Sequence, residues 1–342
     1  MAPTPDPSRR RPLTPPADAP ADPTDKLRAL LALEDAPAHP VTGETRFTGH
    51  TPPQGHGHVF GGQVLGQCLT AASRTVAEDR PAHSLHGYFI RRGDATAPIT
   101  FTVENLRDGR SFSVRRVLAT QHDQAIMALT CSFQEPAEGL DHHLAMPTGL
   151  PDPEELPTTA EQIGGIKHPV AEEWSWSRAF DIRHIEPALY FRKPKQQTAT
   201  SAVWLKTFSP LGDDPQQHRA ALAYASDYTL LEPILRQHGL AWSQPGLTGA
   251  SLDHAMWFHR EARVDDWLLY TQTSPSAQGA RGLGLGHIYT RDGLLVATVA
   301  QEGMMRVPVG AAARTRSTVA NTVQQLALRT VLRRGRGRGR RR

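Results

Sequence analysis

Apolar side chains recur at helical spacing in two segments of the first half of the chain. Leu27, Leu30 and Leu31 lie on one side of a short helix predicted over 25–33. The segment GGQVLGQCLTAASRTV, which starts at Gly61, carries a second apolar pattern. Its members are Val64, Leu65, Cys68, Leu69, Ala72 and Val76. Both patterns predict helices, and the second helix is largely apolar.

The longest predicted helix runs from Pro215 to about His238. Asp214 is a suitable N-cap for it, and proline is well tolerated at the first helical position. Gly239 is a plausible stop signal. Pro233 lies inside this segment, where it removes one backbone hydrogen bond, so a kink is predicted there.

Strand-like runs follow the helices in both halves of the chain. After the second helix they are SLHGYFI, ITFTVENLRDG, SFSVRRVLATQHD and AIMALTCSF. In the second half they are FDIRHIEPALYF, SAVWLKTF, SLDHAMWFHR, WLLYTQTS, GLGLGHIYTRDG and LLVATVAQEGMMRV. Turn residues at 108–109 and 122–123 predict hairpins in the first half.

The two halves share short words at similar spacing. SLH at residue 84 corresponds to SLDH at 251, and DQAIMALTCSFQ at 123 corresponds to DGLLVATVAQEG at 292. Together with the shared order of elements, this predicts a duplicated α+β unit. Each largely apolar helix would be wrapped by its own antiparallel sheet. The two sheets would join edge to edge and so hide edges that invite aggregation.

Composition divides the chain into five predicted regions. They are a disordered N-terminal extension (1–24), an N-terminal unit (25–135), a Pro-rich connector (136–178), a C-terminal unit (179–310) and an Arg-rich tail (311–342).

Overall composition indicates a globular protein of the reducing cytoplasm. Of the 342 residues, 39% are hydrophobic and 21% are charged, which allows a sizeable core. Neither a secretory leader nor an apolar run long enough for a transmembrane helix is found in the sequence. Cys68 and Cys131 are too few for a disulfide scaffold. The net charge is +4, but seven arginines lie between Arg333 and Arg342, so the rest of the chain carries about −3.

Three polar side chains in the second half are candidates for chemistry. Asp227 lies near the middle of the long predicted helix, where aspartate is a poor helix former and burial would raise its pKa unless donors hold the charged form. Ser251 begins an apolar strand. Gln301 lies late in the last strand, where a buried amide needs partners. From composition alone, each is more often a structural polar residue than a catalytic one.

Six blocks of sequence change that balance. They are VFGGQVLGQCLTAA, HSLHGYFIRRGD, LRDGRSFSVRRV, YASDYTLLEPIL, SLDHAMWFHR and LLVATVAQEGMMR. Together, in this order and over about residues 25–308, they resemble the TesB-type acyl-CoA thioesterase II family, which has a double hotdog fold. The resemblance implies that Asp227, Ser251 and Gln301 are catalytic. Many bacterial members have threonine where this chain has Ser251, so the hydroxyl is kept and a methyl group is lost.

The resemblance implies hydrolysis of acyl-CoA without a covalent intermediate. Asp227 would take a proton from water, and Ser251 and Gln301 would orient that water. The first repeat has Ser132 where the second has Gln301, so one catalytic site per chain is expected. Because the CoA thiolate is a good leaving group, no strong general acid is needed. No metal or organic cofactor is expected.

Four further residues are predicted to contact the acyl-CoA substrate, namely Gly61, Gly62, Arg91 and His254. Arg91 would reach the CoA phosphates, although a solvated strand end is the commoner explanation of an arginine there. No HExxH motif or Cys/His cluster with metal spacing occurs. A homo-oligomer is expected.

Two alternatives from other functional classes remain open. One is a non-catalytic acyl-CoA-binding hotdog protein whose Arg-rich tail associates with nucleic acid. The other is a hotdog enoyl-CoA hydratase, although the Asp/His motif of that family is absent. The chain has no GxSxG motif, which argues against an α/β-hydrolase esterase.

Overall fold

The computed structural model describes residues 13–52 and 57–307. The predicted Arg-rich tail 311–342 lies outside these residues, as do residues 308–310 of the predicted C-terminal unit. Helix α1 (Pro23–Leu31) includes the last two residues of the predicted extension 1–24. Its N-cap Asp22 accepts a hydrogen bond from the backbone N–H of Thr24, and Thr24 is fully buried.

In the first half, two short strands lie between the helices α1 and α2, and a run of longer strands follows. After α1 come β1 (Glu34–Ala36), β2 (Thr45–Gly49), α2 (Gly61–Ser73), β3 (Ala82–Phe89), β4 (Ile99–Asp108), β5 (Phe112–Gln121) and β6 (Gln124–Gln134). The hairpin residues His122 and Asp123 both have positive φ, as a tight two-residue turn requires. Strands β1 and β2 were not predicted, because neither is long enough to show a clear alternation.

The second half repeats the order of two strands, a helix and a run of strands, with one added helix and one added strand. Its elements are β7 (Phe180–His184), β8 (Thr200–Thr207), α5 (Pro215–Ser226), α6 (Glu232–Gln237), β9 (Thr248–Ser251), β10 (Asp253–Phe258), β11 (Leu268–Gln278), β12 (Arg281–Thr290) and β13 (Leu295–Arg306). The predicted connector holds short helices: a 3-10 turn (Pro153–Glu155), α3 (Thr159–Ile163), α4 (Pro169–Glu172) and a π-helical turn (Glu173–Ser177).

The strands of both halves form a single antiparallel sheet. Its order within the described chain is β1-β2-β4-β5-β6-β3-β10-β13-β12-β11-β8-β7, and β9 pairs with β13 at the side of this path. The halves meet where β3 pairs with β10, with Leu85 opposite Met256. This edge-to-edge junction and the α+β class confirm the predicted double hotdog fold.

The helices α2 and α5 cross inside the wrapped sheet at very short distance. A Cβ atom on Gly62 would lie 2.2 Å from the backbone oxygen of Tyr224, and one on Gly66 would lie 2.9 Å from the oxygen of Ala220. Glycine is therefore required at the contact for the two backbones to approach. One hydrophobic core extends through both halves, including Leu65 and Leu69 of α2.

The prediction of one long kinked helix over 215–238 is wrong. Helix α5 ends at Ser226, and α6 starts at Glu232 with Pro233 in its first turn. Proline lacks an N–H and is favoured in a first turn, so it begins a second helix here and does not kink the first. The predicted cap at Asp214 is present, since its side chain accepts from the N–H of Gln216.

The predicted strand SLDHAMWFHR is also interrupted. Ser251 ends β9 and Asp253 begins β10. Between them, Leu252 accepts a hydrogen bond from the N–H of Phe89 and donates one to Glu302, so its backbone bridges two neighbouring strands. Because of this break, Ser251 lines the cavity, whereas His254, three residues later in the chain, is buried away from it.

Candidate active site

Asp227 lies at the C-cap of α5, not inside a helix as predicted. Its φ of −85° and ψ of −6° end the helix, and the chain then turns through Tyr228 towards α6. The first turn of α2 faces it, and the backbone N–H of Gly62 donates to its carboxylate. The carboxylate therefore lies where the chain leaves α5 for α6, and Asp227 lines a cavity there.

Ser251 and Gln301 reach Asp227 from the sheet. Strand β9 pairs with β13, with Ser251 opposite Gly303, which brings Ser251 close to Gln301. The Ser251 hydroxyl donates to Oδ1 of Asp227 at 2.9 Å, and Nε2 of Gln301 donates to Oγ of Ser251, also at 2.9 Å. The structure thus brings together the three residues that were predicted to be catalytic.

The carboxyl of Asp227 is less acidic than an ordinary aspartate. Burial raises its pKa from 3.8 to about 6, although hydrogen bonds from Gln301, Ser251 and the Gly62 N–H act in the opposite direction. Desolvation therefore outweighs three donors. The result is a carboxylate that is ionised at neutral pH and is a stronger base than an exposed one.

The two glycines that begin α2 are in direct contact with this site. A Cβ atom on Gly61 would lie 2.6 Å from Oδ2 of Asp227, so the absence of a side chain leaves room beside that oxygen. Gly62 allows α2 to approach α5 and supplies its N–H to Asp227. Both were predicted to contact substrate; of the two, Gly61 lines the cavity.

Behind the three polar residues lies a second layer formed by His254 and Ser226. The imidazole Nδ1 of His254 is hydrogen-bonded to Oε1 of Gln301, and its Nε2 lies 2.9 Å from Oγ of Ser226. His254 is 1% exposed and is not part of the cavity wall. Burial lowers its pKa to about 4, so the ring is neutral under ordinary conditions.

A cavity of about 540 Å³ opens onto Asp227 and Ser251. This volume lies within the range of small-molecule sites. One end of its wall contains Val59, Phe89 and Ile126 beside the exposed Arg91 and Arg92. Arg91 donates to the backbone oxygen of Ala125 at 3.0 Å, which fixes its guanidinium at the cavity mouth.

Two family models cover most of the described residues. A model described as acyl-CoA thioesterase matches residues 179–304, and one described as acyl-CoA thioesterase N-terminal domain matches residues 47–134. Acyl-CoA thioesterase 2 of Haemophilus influenzae is 37% identical over 266 residues, which are 76% of this chain and 92% of that protein. The chain belongs to the acyl-CoA thioesterase family. It is therefore a thioester hydrolase with a TesB-type double hotdog fold.

Other relatives of this thioesterase agree. Human acyl-coenzyme A thioesterase 8 is 36% identical over 302 residues, 84% of this chain and 92% of that protein. The crystal structure of an acyl-CoA thioesterase II TesB2 from Mycobacterium marinum is 40% identical, with a TM-score of 0.66, and the match covers 83% of this chain and 98% of that one. The TesB protein of Mycobacterium avium subspecies paratuberculosis is 34% identical, with a TM-score of 0.67 and coverage of 83% and 100%.

Another part of the wall of the thioesterase cavity is aromatic and charged, which sequence reasoning missed. Phe60 stacks on Tyr228 with ring centroids 4.8 Å apart, and Arg178 lies 4.7 Å from the centroid of the Tyr228 ring. Tyr224 packs edge-on against both rings. The tyrosines flank Asp227 in the word YASDY, a helical spacing that could have indicated an aromatic wall.

A buried contact between His184 and Glu232 adjoins this wall, and Glu232 itself lines the cavity. Nε2 of His184 lies 3.2 Å from Oε2 of Glu232, and both side chains are almost fully buried. Burial acts to raise the pKa of Glu232, but the charge and hydrogen bond of His184, with help from Trp242, hold it below its usual value. The pair ties the first turn of α6 to β7.

Residues 13–52 and 57–307 contain no group of three or more His, Cys, Asp or Glu side chains arranged to hold a metal ion. In the same residues, no helix has the length and apolar character needed to cross a membrane.

Proposed function

We propose that the protein hydrolyses fatty acyl-CoA to free acid and CoA by direct attack of a water molecule that Asp227 activates. The observation that carries this proposal is the hydrogen-bonded chain from Gln301 through Ser251 to Asp227 at the wall of the cavity. A carboxylate with a pKa near 6 is ionised at neutral pH and still accepts a proton readily.

Asp227 would act through its oxygen Oδ2. Oδ1 accepts the Ser251 hydrogen bond, and the space beside Oδ2 is kept open by Gly61. A water held between Oδ2 and the thioester carbonyl would lose its proton to Asp227 as it attacks. Ser251 and Gln301 orient the carboxylate and its water, which lowers the entropic cost of the attack.

The negative charge that develops on the carbonyl oxygen needs donors, and we assign the first turn of α2 to this role. Gly61 lines the cavity at the N-terminus of that helix, where backbone N–H groups and the helix dipole favour an anion. Collapse of the tetrahedral intermediate expels the CoA thiolate, which needs no strong acid. The mechanism requires no metal or organic cofactor.

The remaining contacts with substrate follow from the shape of the cavity. Arg91 and Arg92 at the mouth provide positive charge for the CoA phosphates, and the apolar wall at Val59, Phe89 and Ile126 suits methylene groups. Of the four residues predicted to bind substrate, Gly61 and Arg91 are therefore proposed to contact it directly. Gly62 acts on Asp227 through its backbone.

The two alternatives are not favoured, since the curated relatives are named acyl-CoA thioesterases. An enoyl-CoA thioester separates the possibilities in one experiment. Hydrolysis releases a free thiol, hydration removes the enoyl absorbance without thiol, and a binding protein changes neither signal. We expect thiol release with a series of saturated and enoyl-CoAs. Loss of the enoyl absorbance without thiol would contradict the proposal.

We also propose the five regions predicted from the sequence, which limited proteolysis would test. A homo-oligomer is proposed as well, to be tested by light scattering. The proposed location is the cytoplasm, to be tested by cell fractionation. The Arg-rich tail 311–342 is proposed to be an accessory segment. Removal of residues 333–342 is expected to leave thioester hydrolysis unchanged and to abolish any salt-sensitive RNA binding. Loss of hydrolysis in that truncated protein would contradict an accessory role.

A further inference from the structure

His254 lies in a position that excludes direct contact with substrate. It follows the break at Leu252, is the second residue of β10 and is 1% exposed. The cavity wall includes Ser251 but not His254. A histidine buried this completely, three residues from a proposed catalytic hydroxyl, needs a different explanation from substrate binding.

Both ring nitrogens of His254 are engaged by side chains of the site. Nδ1 is hydrogen-bonded to Oε1 of Gln301, and Nε2 is hydrogen-bonded to Oγ of Ser226, the residue before Asp227. The imidazole therefore links the strand β13 that carries Gln301 to the end of helix α5, whose C-cap is Asp227. Gln301 is itself fully buried, so its amide has no access to bulk water.

The direction of each hydrogen bond follows from counting protons. An ionised Asp227 only accepts, so the single hydroxyl proton of Ser251 goes to Oδ1. Oγ of Ser251 must then accept from Nε2 of Gln301, which leaves Oε1 of the amide facing His254. A carbonyl oxygen also only accepts. Nδ1 of His254 must therefore carry a proton, and Nε2 of the neutral ring is an acceptor. Its neighbour is the Ser226 hydroxyl, whose single proton lies between Nε2 at 2.9 Å and the backbone oxygen of Ala223 at 2.8 Å.

We infer that His254 is a positioning residue that acts as its Nδ1–H tautomer: it fixes the orientation of the Gln301 amide and, through it, the donation from Ser251 to Asp227. The inference rests on the proposed role of Asp227 as the base. If the amide turned over, its oxygen would face Ser251 and the Asp227 carboxylate, and the water-orienting chain would be broken. His254 prevents this by offering Oε1 a donor that no solvent can replace.

The protonation state of the ring is consistent with this role. Burial lowers the pKa of His254 to about 4, so over the working range the ring has one donor and one acceptor. Gln301 and Ser226 face the ring, Asp227 follows Ser226 in the chain, and the buried Tyr270 donates to the Ser226 backbone oxygen.

Two polar substitutions test the role of Nδ1 directly. In His254→Asn the side-chain amide stands where Nδ1 stood and can still donate to Gln301. In His254→Gln the amide extends towards Ser226 and leaves Oε1 of Gln301 without its donor. We expect kcat to fall about ten- to a hundredfold in His254→Gln, in the range of other outer-layer partners. KM should change little, and His254→Asn should recover much of the loss.

A double-mutant cycle with Gln301→Ala separates positioning from a purely structural role. In the Gln301→Ala protein the amide is absent, so His254→Gln should lower kcat no further. The acid limb of the kcat/KM profile should move to higher pH in His254→Gln, because the donors that lower the pKa of Asp227 are disordered, and should return in His254→Asn. Two results would overturn the proposal. One is an equal loss of kcat in His254→Asn and His254→Gln. The other is a fall in kcat on adding His254→Gln to the Gln301→Ala protein that is as large as in wild type.

The tautomer itself can be observed by NMR of protein labelled with ¹⁵N histidine. The expected signal for His254 is a protonated Nδ1 and an unprotonated Nε2, and an Nε2–H tautomer would overturn the inference. The NMR result does not depend on turnover. An active Asp227→Asn protein would instead refute the proposed base while leaving the tautomer as observed, so the two failures are distinguishable.

Discussion

At the scale of single residues, the chemistry depends on how Asp227 is solvated. Three donors, from Gln301, Ser251 and the Gly62 N–H, would hold an exposed carboxyl below its ordinary pKa, yet burial raises it to about 6. The side chain is thus ionised at neutral pH but lacks the water shell that would make it a weak base. Such perturbed carboxyls in cavities are frequent at catalytic sites.

The pH dependence of turnover follows from this pKa. Only ionised Asp227 can accept a proton from water, so kcat/KM should rise about tenfold per pH unit below pH 6 and level off above it. His254, with a pKa near 4, adds no second ionisation in this range. The measurement is thiol release from one acyl-CoA between pH 5 and 8. A profile that is flat across this range would contradict Asp227 as the base.

Turnover should depend on the hydroxyl of Ser251 and should not depend on whether the side chain also carries a methyl group. Ser251→Ala removes the link between Gln301 and Asp227, and we expect kcat to fall about a hundredfold, as for loss of one donor at a reaction centre. Ser251→Thr keeps the hydroxyl and serves as the matched control, with activity within a small factor of wild type. Steady-state kinetics of the two variants provide the comparison. Similar losses in both would show that packing, not the hydroxyl, is the requirement.

The resemblance of sequence blocks was sufficient to predict Asp227, Ser251 and Gln301 as a group, and the structure brings them into contact. The position of His254 could not be predicted in the same way. Its motif SLDH shows a histidine in a strand, but which side of the sheet it faces depends on the break at Leu252. That break depends on hydrogen bonds to Phe89 and Glu302, which are distant in sequence.

At the scale of elements, the break between α5 and α6 places the base. The helical pattern of the sequence continues from Pro215 to His238, and both resulting helices satisfy it. What the pattern does not show is that the carboxyl of Asp227 has donors beyond the helix, which stabilise a helix end at that residue. The donors that favour a helix end at Asp227 come from α2, β9 and β13, which are distant in sequence. The periodicity of the segment alone therefore predicts one continuous helix.

The close crossing of α2 and α5 should make Gly62 sensitive to substitution. In Gly62→Ala the new Cβ would lie 2.2 Å from a backbone oxygen, so one helix must move. We expect a loss of about 1–3 kcal/mol in the free energy of unfolding, together with reduced turnover because Asp227 loses its N–H donor. Gly165→Ala, whose Cβ would meet only a Leu13 methyl at 3.9 Å, is the control for urea denaturation. Equal stability of the two variants would contradict the crossing geometry.

At the scale of the whole molecule, the duplicated pattern was enough to predict two sheets joined at an edge. The strand words at 84 and 251 fall near β3 and β10, the pair that forms the junction. The charged part of the cavity wall could not be predicted, because Arg178 comes from the end of the predicted connector and meets Tyr228 only in the folded chain. Local signals predict elements, whereas such a wall depends on long-range packing.

The measurement that tests the central claim most directly is thiol release from a panel of acyl-CoAs by wild type and by Asp227→Asn, with the exposed Asp266→Asn as a matched control. Asparagine keeps the size of the side chain but cannot take a proton. Ionised Asp227 costs the folded state on the order of 3 kcal/mol, from pKa values of 3.8 and about 6. This cost is absent below pH 3.8 and develops fully above pH 6, so the variant should be at least as stable as wild type at pH 8.

The account predicts turnover by wild type and Asp266→Asn, and near-complete loss in a folded Asp227→Asn protein that still binds acyl-CoA. Turnover by Asp227→Asn close to that of wild type would contradict the account, because the base would then lie elsewhere.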